Sequence, residues 1–174
     1  MTNPLKNLQK FEIRAGMRVA DLGAGSGAYA MEAARMVVPG GRVIAVEVLP
    51  DLITRIKNDA AHARISNIDV IHGNIEKLGG TKIAEGSIDR VIASNILFQV
   101  EDKDAFIREA ARIMKRGGEL LLIDWSGPHG GMGPHHAHVI LAPDAEAMFL
   151  KHGFEFLRKI DAGAHHYGMI LKRK

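Results

Sequence analysis

The 174-residue chain contains no cysteine. That removes disulfides, thiolate nucleophiles and cysteine-ligated zinc from consideration, while saying little about redox compartment. No apolar run is long enough to cross a bilayer, and the start, Met1-Thr2-Asn3-Pro4-Leu5-Lys6, has no apolar signal core, so a cytoplasmic location is the expectation. Internal repeats and low-complexity linkers are also missing. The net charge is +3, but Lys and Arg are scattered singly among acids, and only the tail Lys172-Arg173-Lys174 is locally basic. A solvated terminus accounts for that tail, so a nucleic-acid partner has no basic patch to support it. With 47% hydrophobic and 25% charged residues, the length fits a single domain over 1–174, with a minimal leader and no cap domain. Nothing in the sequence marks an oligomeric state.

What is present is an alternation of strand-like and helix-like runs, the pattern of a mostly parallel sheet with helices on both faces. Strands are expected at 18–22, 42–47, 68–72, 88–93 and 119–125. Helices are expected at 28–38, 50–63, 103–114 and about 143–151, from apolar residues at helical spacing. The chain then ends differently. Two strands, 154–160 and 167–171, are separated by Asp161-Ala162-Gly163-Ala164, too short for a crossover helix but suited to an antiparallel hairpin.

The first strand runs directly into Asp21-Leu22-Gly23-Ala24-Gly25-Ser26-Gly27. Such a turn lets a ligand approach the backbone and places a carboxylate at the strand's end. Alone it fits a dinucleotide as well as a nucleoside, since Gly23-x-Gly25-x-x-Ala28 matches a loose dinucleotide fingerprint. Two further strand ends narrow the choice. Glu47 closes strand two in a carboxylate suited to ribose hydroxyls, and Asn74-Ile75 after strand three offers an amide and an apolar side chain to an adenine ring.

With those three elements in order, the chain resembles the class I S-adenosylmethionine-dependent methyltransferases, in particular their small-molecule branch near the ubiquinone/menaquinone methyltransferases. Further stretches carry the resemblance: Ser87-Ile88-Asp89-Arg90-Val91-Ile92-Ala93-Ser94-Asn95, Ile113-Met114-Lys115-Arg116-Gly117-Gly118-Glu119-Leu120, and His152-Gly153-Phe154. It implies a Rossmann-like, doubly wound α/β sheet of seven strands in the order 3-2-1-4-5-7-6, the last strand antiparallel. It also implies roles for residues. Asp21, Gly23, Ala24, Gly25 and Gly27 would line the methionine and ribose of S-adenosylmethionine, Glu47 would hold the ribose diol, and Val48 and Leu49 would border the adenine. Asn74 stands where many relatives carry an acid for the adenine amino group, and Ser94 and Asn95 would face the methyl group. Gln99 falls where relatives often have histidine. The expected reaction is methyl transfer to a small-molecule acceptor over strands four and five, leaving S-adenosylhomocysteine.

Seven of the nine histidines lie after residue 128, at 129, 135, 136, 138, 152, 165 and 166. The loop Ser126 to His138 follows strand five and is rich in Gly and Pro, as a lid would be. Three readings stay open: a solvated loop, a general base or acceptor contact from His135, His138 or Asp124, and a metal site from His135, His138 and His165 or His166. The favoured expectation is no metal. RNA or protein methylation is the first alternative to a small-molecule acceptor. A nicotinamide-dependent oxidoreductase is disfavoured by the lack of a Tyr-x-x-x-Lys pair, and a non-catalytic cofactor-binding protein is the third class.

Overall fold

A computed structural model of the chain describes residues 2–174. Seven strands form one sheet: β1 (Arg18–Leu22), β2 (Arg42–Glu47), β3 (Ile68–His72), β4 (Ile88–Ser94), β5 (Met114–Trp125), β6 (Phe154–Asp161) and β7 (His166–Arg173). Their order is β3-β2-β1-β4-β5-β7-β6, with β7 antiparallel to both β5 and β6 and every other pairing parallel. This is the expected topology. The order reverses direction between β1 and β4, and at such a switch point the loops beyond the carboxyl ends diverge and leave a crevice for a ligand.

Five α-helices cover the sheet: α1 (Pro4–Lys10), α2 (Ala28–Met36), α3 (Pro50–His62), α4 (Lys103–Ile113) and α5 (Ala142–Lys151). The first occupies the stretch expected to be a short leader. It forms because Asn3 caps it, its side chain accepting the Lys6 amide at 3.0 Å, and Pro4 presets the first turn. Leu8 on this helix and Phe11 just after it are fully buried, and Asn7 donates to Tyr29 Oη at 3.0 Å, docking α1 on α2. Another difference lies at Met114. The stretch 114–118 belongs to β5 rather than to a helix end, with a register irregularity between Ile88 and Arg90 on β4 absorbing the change.

Side chains alternate along each strand, so the sheet has two dissimilar faces. Val19, Val43, Ala45, Ile92, Leu121, Ile123 and Ile170 pack with residues of α1 and α2, whereas Ala20, Val91, Leu120, Leu122 and Met169 pack with α4 and α5. Carrying that alternation to the carboxyl edge through the observed register decides where polar groups point. Asp21, Glu47, Ser94, Trp125 and His166 fall on the α1/α2 face, and Asp124 and Tyr167 on the other.

The long connection from β3 to β4 is held by one buried acid. Glu109 on α4 is fully shielded and accepts the amides of Gly79 and Thr81, the Thr81 hydroxyl and two Arg112 nitrogens. Burial alone would raise its pKa, but the Arg112 and Thr81 side chains and the amides outweigh it and hold the group at about 2. Because the folded value lies below the unfolded one, this stabilisation is complete above the usual carboxylate range and fades as pH falls toward 2. Glu109→Ala strands Arg112 and the 79–81 amides, and is expected to cost about 3–5 kcal/mol. Chemical denaturation measures the loss, and faster hydrogen exchange at the Gly79 and Thr81 amides locates it.

Candidate cofactor and acceptor site

The glycine turn after β1 is clamped by the end of β2. The amides of Gly23 and Ala24 donate to the Val46 carbonyl at 2.9 and 3.0 Å, and the Gly25 amide donates to Glu47 Oε2 at 2.9 Å. Glu47 Oε1 accepts the amides of Val48 and Leu49 at 2.8 and 3.1 Å. Three of the roughly four acceptor positions of this carboxylate are thus occupied, and one remains on Oε2. Gly23, Gly25 and Gly27 all have left-handed backbone, with φ of +73°, +56° and +80°. Their surroundings differ. A Cβ on Gly23 would sit 2.6 Å from Ile96 Cδ1 and one on Gly27 2.9 Å from Ile56 Cγ1, while one on Gly25 would meet nothing closer than 4.0 Å. A Cβ on Gly23 or Gly27 would therefore collide with packed side chains, and the space beside Gly25 is open.

Asp21 supplies the site's unmet charge. It is 2% exposed, its Oδ2 has no hydrogen-bond partner, and burial raises its pKa to about 7; the Ala30 amide on α2 acts in the opposite sense, and the Glu47 charge adds to the rise. A buried carboxyl in this condition is completed by a cation or a donor. Val48 and Leu49 stand 54% and 55% exposed just beyond Glu47, an apolar pair open to a ring. Asn74 Oδ1 accepts the Glu76 amide at 2.8 Å, which fixes the side chain and leaves a second lone pair and its NH₂ group free. Ile75 turns into the core against the α4/α5 side, so it offers a ligand little apolar surface.

Beyond β4 the chain turns at Asn95, whose φ of +55° is rare for a residue with a side chain. Ser94 Oγ and Asn95 Oδ1 are both shielded from solvent without a partner. Asp124, considered above as a base, lies on the opposite face with its oxygens engaged: Oδ2 accepts the Leu97 and Phe98 amides at 2.9 and 3.3 Å, and Oδ1 the Trp125 amide at 2.8 Å. Burial raises its pKa to about 6 against the pull of those three amides. Its geometry is that of a bracket for the 95–98 turn. Gln99 belongs to the same turn, donating to the Asn95 carbonyl at 2.8 Å.

His135 and His138 sit exposed around a short 3₁₀ turn, where His135 stacks on His136 at 4.0 Å between ring centroids and accepts the Ala137 amide. They do not join His165 and His166. Among the described residues no three His, Asp or Glu side chains are grouped as a metal ion requires, so the set of His135, His138 and His165 or His166 is not brought together. The histidines that do gather are His129, His165 and His166, around Trp125. Sequence spacing did not single out this group, because β5–β7 pairing and a contact between two loops create it.

The sheet order, the switch point and the three strand ends define a nucleoside-binding domain of the class I S-adenosylmethionine-dependent methyltransferase type. A family model described as "Methyltransferase domain" matches residues 13–152. The arsenite methyltransferase of Aquipseudomonas alcaligenes is 33% identical over 113 residues, covering 63% of this chain and 33% of that protein. The ubiquinone/menaquinone biosynthesis C-methyltransferase UbiE of Hahella chejuensis is 30% identical over 122 residues, covering 70% and 48%. The chain spans a third to a half of the length of these curated relatives. In structure, a SAM-dependent methyltransferase from Aquifex aeolicus superposes with a TM-score of 0.89 at 22% identity, over 98% of this chain and 89% of that one, which shows the shared fold. The chain belongs to the methyltransferase-domain family, whose cofactor is S-adenosylmethionine.

Two outcomes follow from the buried acids. Folded Asp21 titrates near 7 and unfolded Asp near 4, so the folded protein binds more protons between those values and loses stability as pH rises through them. Ligand-free Asp21→Asn should therefore match the parent near pH 4 and exceed it by a few kcal/mol near pH 8, each kcal/mol raising Tm by about 2–4 °C. Asp124→Ala leaves the Leu97, Phe98 and Trp125 amides without their acceptor, and is expected to lower stability by about 2–4 kcal/mol in denaturant titrations.

Proposed function

We propose that this chain transfers a methyl group from S-adenosylmethionine to a small-molecule acceptor. The observation that carries the reading is the buried, unpartnered Asp21 Oδ2 on the same sheet face as Glu47, beside a glycine turn held open at Gly25. S-adenosylmethionine, when bound, supplies an activated methyl group on a sulfonium. The protein's residues align, shield and, for some acceptors, accept a proton. Asp21 accepts a hydrogen bond from the amino-acid ammonium, which restores the carboxyl to its charged form. Glu47 uses its remaining lone pair for a ribose hydroxyl, Val48 and Leu49 border the adenine, and Asn74 retains an acceptor for its amino group. Ser94 and Asn95 stand at the methyl-bearing end.

Two relatives' names point to different acceptors, arsenite and a quinone precursor. Trivalent arsenic is a soft, thiophilic centre, and this chain has no thiolate to hold it. A carbon, oxygen or nitrogen acceptor suits the residues present. In this reading Asp124 positions the 95–98 turn and takes no part in proton transfer, and His135 and His138 lie on an exposed loop, outside the buried row.

Calorimetry with S-adenosylhomocysteine tests the donor half. The parent chain is expected to bind, and Asp21→Asn and Glu47→Ala to weaken binding by at least about tenfold, roughly 1.4 kcal/mol. Parental affinity in both variants would refute the assignment. Transfer of label from S-adenosylmethionine into the small-metabolite fraction of a cell extract, with none into RNA or protein, tests the acceptor class.

A further inference from the structure

Two carboxyls, Asp21 near the end of β1 and Glu47 at the end of β2, share the α1/α2 face, and among the described residues neither forms an ion pair. Their hydrogen bonds differ. Glu47 accepts the amides of Gly25, Val48 and Leu49, which favours its ionised form, whereas Asp21 Oδ2 is closed to solvent and has no partner. A proton shared out between the two therefore belongs on Asp21.

The surrounding elements do not relieve this crowding. β2 brings the like charge of Glu47, and β3 brings His72 beside Glu47, one strand further out and exposed. β4 brings the neutral Ser94, while its Arg90 lies at the strand's other end against Glu119. On α2, Tyr29 Oη accepts from Asn7 of α1 and Glu32 pairs with Arg35; α3 sets the apolar Ile56 against Gly27, and its Arg55 pairs with Asp59. Burial raises the Asp21 pKa to about 7 against the pull of the Ala30 amide, and the Glu47 charge adds to the rise. Room for a ligand lies alongside. Residues 23–25 of the turn are half-buried, Ser26 is exposed, and a Cβ on Gly25 would meet nothing closer than 4.0 Å.

We propose that the ligand-free site keeps a proton on Asp21 and releases it when a ligand's ammonium group arrives, so that Asp21 selects amino-acid-bearing nucleosides over bare ones, and does so more strongly as pH rises. The assignment rests on the methyltransferase reading above and adds to it the proton and the selectivity. On binding, the O–H bond of the Asp21 carboxyl breaks, its electron pair stays on the carboxylate and the proton passes to solvent, while the ammonium keeps its own protons and donates a hydrogen bond. Because the ligand-bound carboxyl holds a proton more weakly than the ligand-free one, affinity climbs with pH through the ligand-free titration and levels above it. A nucleoside without an ammonium gains nothing from that ionisation.

Calorimetry with S-adenosylhomocysteine and with 5′-methylthioadenosine, a nucleoside thioether without the amino acid, reads the selectivity. Affinity of the parent for S-adenosylhomocysteine is expected to rise by at least about fivefold from about pH 5.5 to about pH 8, and affinity for 5′-methylthioadenosine to stay level. Near pH 6.5, binding enthalpies in phosphate and in Bis-Tris should differ by the heat of about half a proton or more released per S-adenosylhomocysteine, and by none for 5′-methylthioadenosine. Asp21→Asn should give S-adenosylhomocysteine a level profile that the parent approaches at the acid end, and His72→Gln should keep the parental profile. In protein labelled with carbon-13 at its aspartate carboxyls, the resonance missing from Asp21→Asn should titrate near neutrality without ligand and cease to do so under saturating S-adenosylhomocysteine. Equal pH dependence for the two ligands, a dependence that survives in Asp21→Asn or vanishes in His72→Gln, or an Asp21 resonance that titrates in the ordinary carboxylate range overturns the proposal and leaves the donor site standing. A parent chain that binds no S-adenosylhomocysteine at any pH overturns the methyltransferase reading instead.

Discussion

The hold of β2's last two residues on the glycine turn is the constraint from which the site is built. A turn with three left-handed glycines has little conformational preference of its own, and in isolation it would sample many shapes. Val46 and Glu47 remove that freedom by accepting three successive amides, those of Gly23, Ala24 and Gly25. The acid is used as structure first. Since Glu47 Oε1 also gathers the amides of Val48 and Leu49, one carboxylate fixes the turn after β1 and the turn after β2 relative to each other. A neutral or shorter residue here would loosen two walls of the crevice at once.

The clamp extends across the switch point to the turn after β4. Asp124 on β5 gathers the Leu97 and Phe98 amides and so fixes the turn after β4. That turn carries Ile96, whose side chain fills the space a Cβ on Gly23 would need. The chain of contacts therefore runs from Asp124 through the 95–98 turn to Gly23 and on to Val46. Two buried acids on opposite faces brace the two sides of one crevice. Their raised or crowded environments are tolerated because each satisfies amides that would otherwise be buried without partners.

This division explains which parts could be read from the sequence. Strand positions and the antiparallel end were legible because periodicity and connection length specify them locally, and the short 161–164 linker excluded a crossover, whereas the order of the strands followed only from the family resemblance. The helix α1 was not, since seven residues are too few for periodicity to show and its signal is only the Asn3-Pro4 start. At the site, Asp21 and Glu47 announced themselves by position after apolar strands. Their use did not: nothing local indicates that Glu47 spends most of its lone pairs on amides, or that Ile75, beyond the last residue of β3, turns into the core. Asp124 resembled a base because its amide partners lie 26 and 27 residues away. The density of histidines at 135–138 drew attention to a loop, whereas the packed group depends on β5–β7 register, and a shift of one residue would have turned Trp125 and His166 to the other face.

The placement of charge along the row gives the crevice a direction. At the β1/β2 end two carboxyls share one face, and their mutual repulsion combines with burial to keep Asp21 near the point of protonation. At the β5/β7 end the imidazole is held neutral, and the acid of that region, Asp124, is turned to the opposite face and occupied by amides. A cationic ligand gains at one end of the row only, so its charged group is drawn toward Asp21 and Glu47 while the β5/β7 end stays uncharged. The same asymmetry disfavours a protonated His166, because burial and the neighbouring imidazoles of His165 and His129 all oppose the imidazolium. The pull on a cationic ligand and the neutrality of the imidazole are thus two results of one arrangement: which residues of each strand end fall on the α1/α2 face.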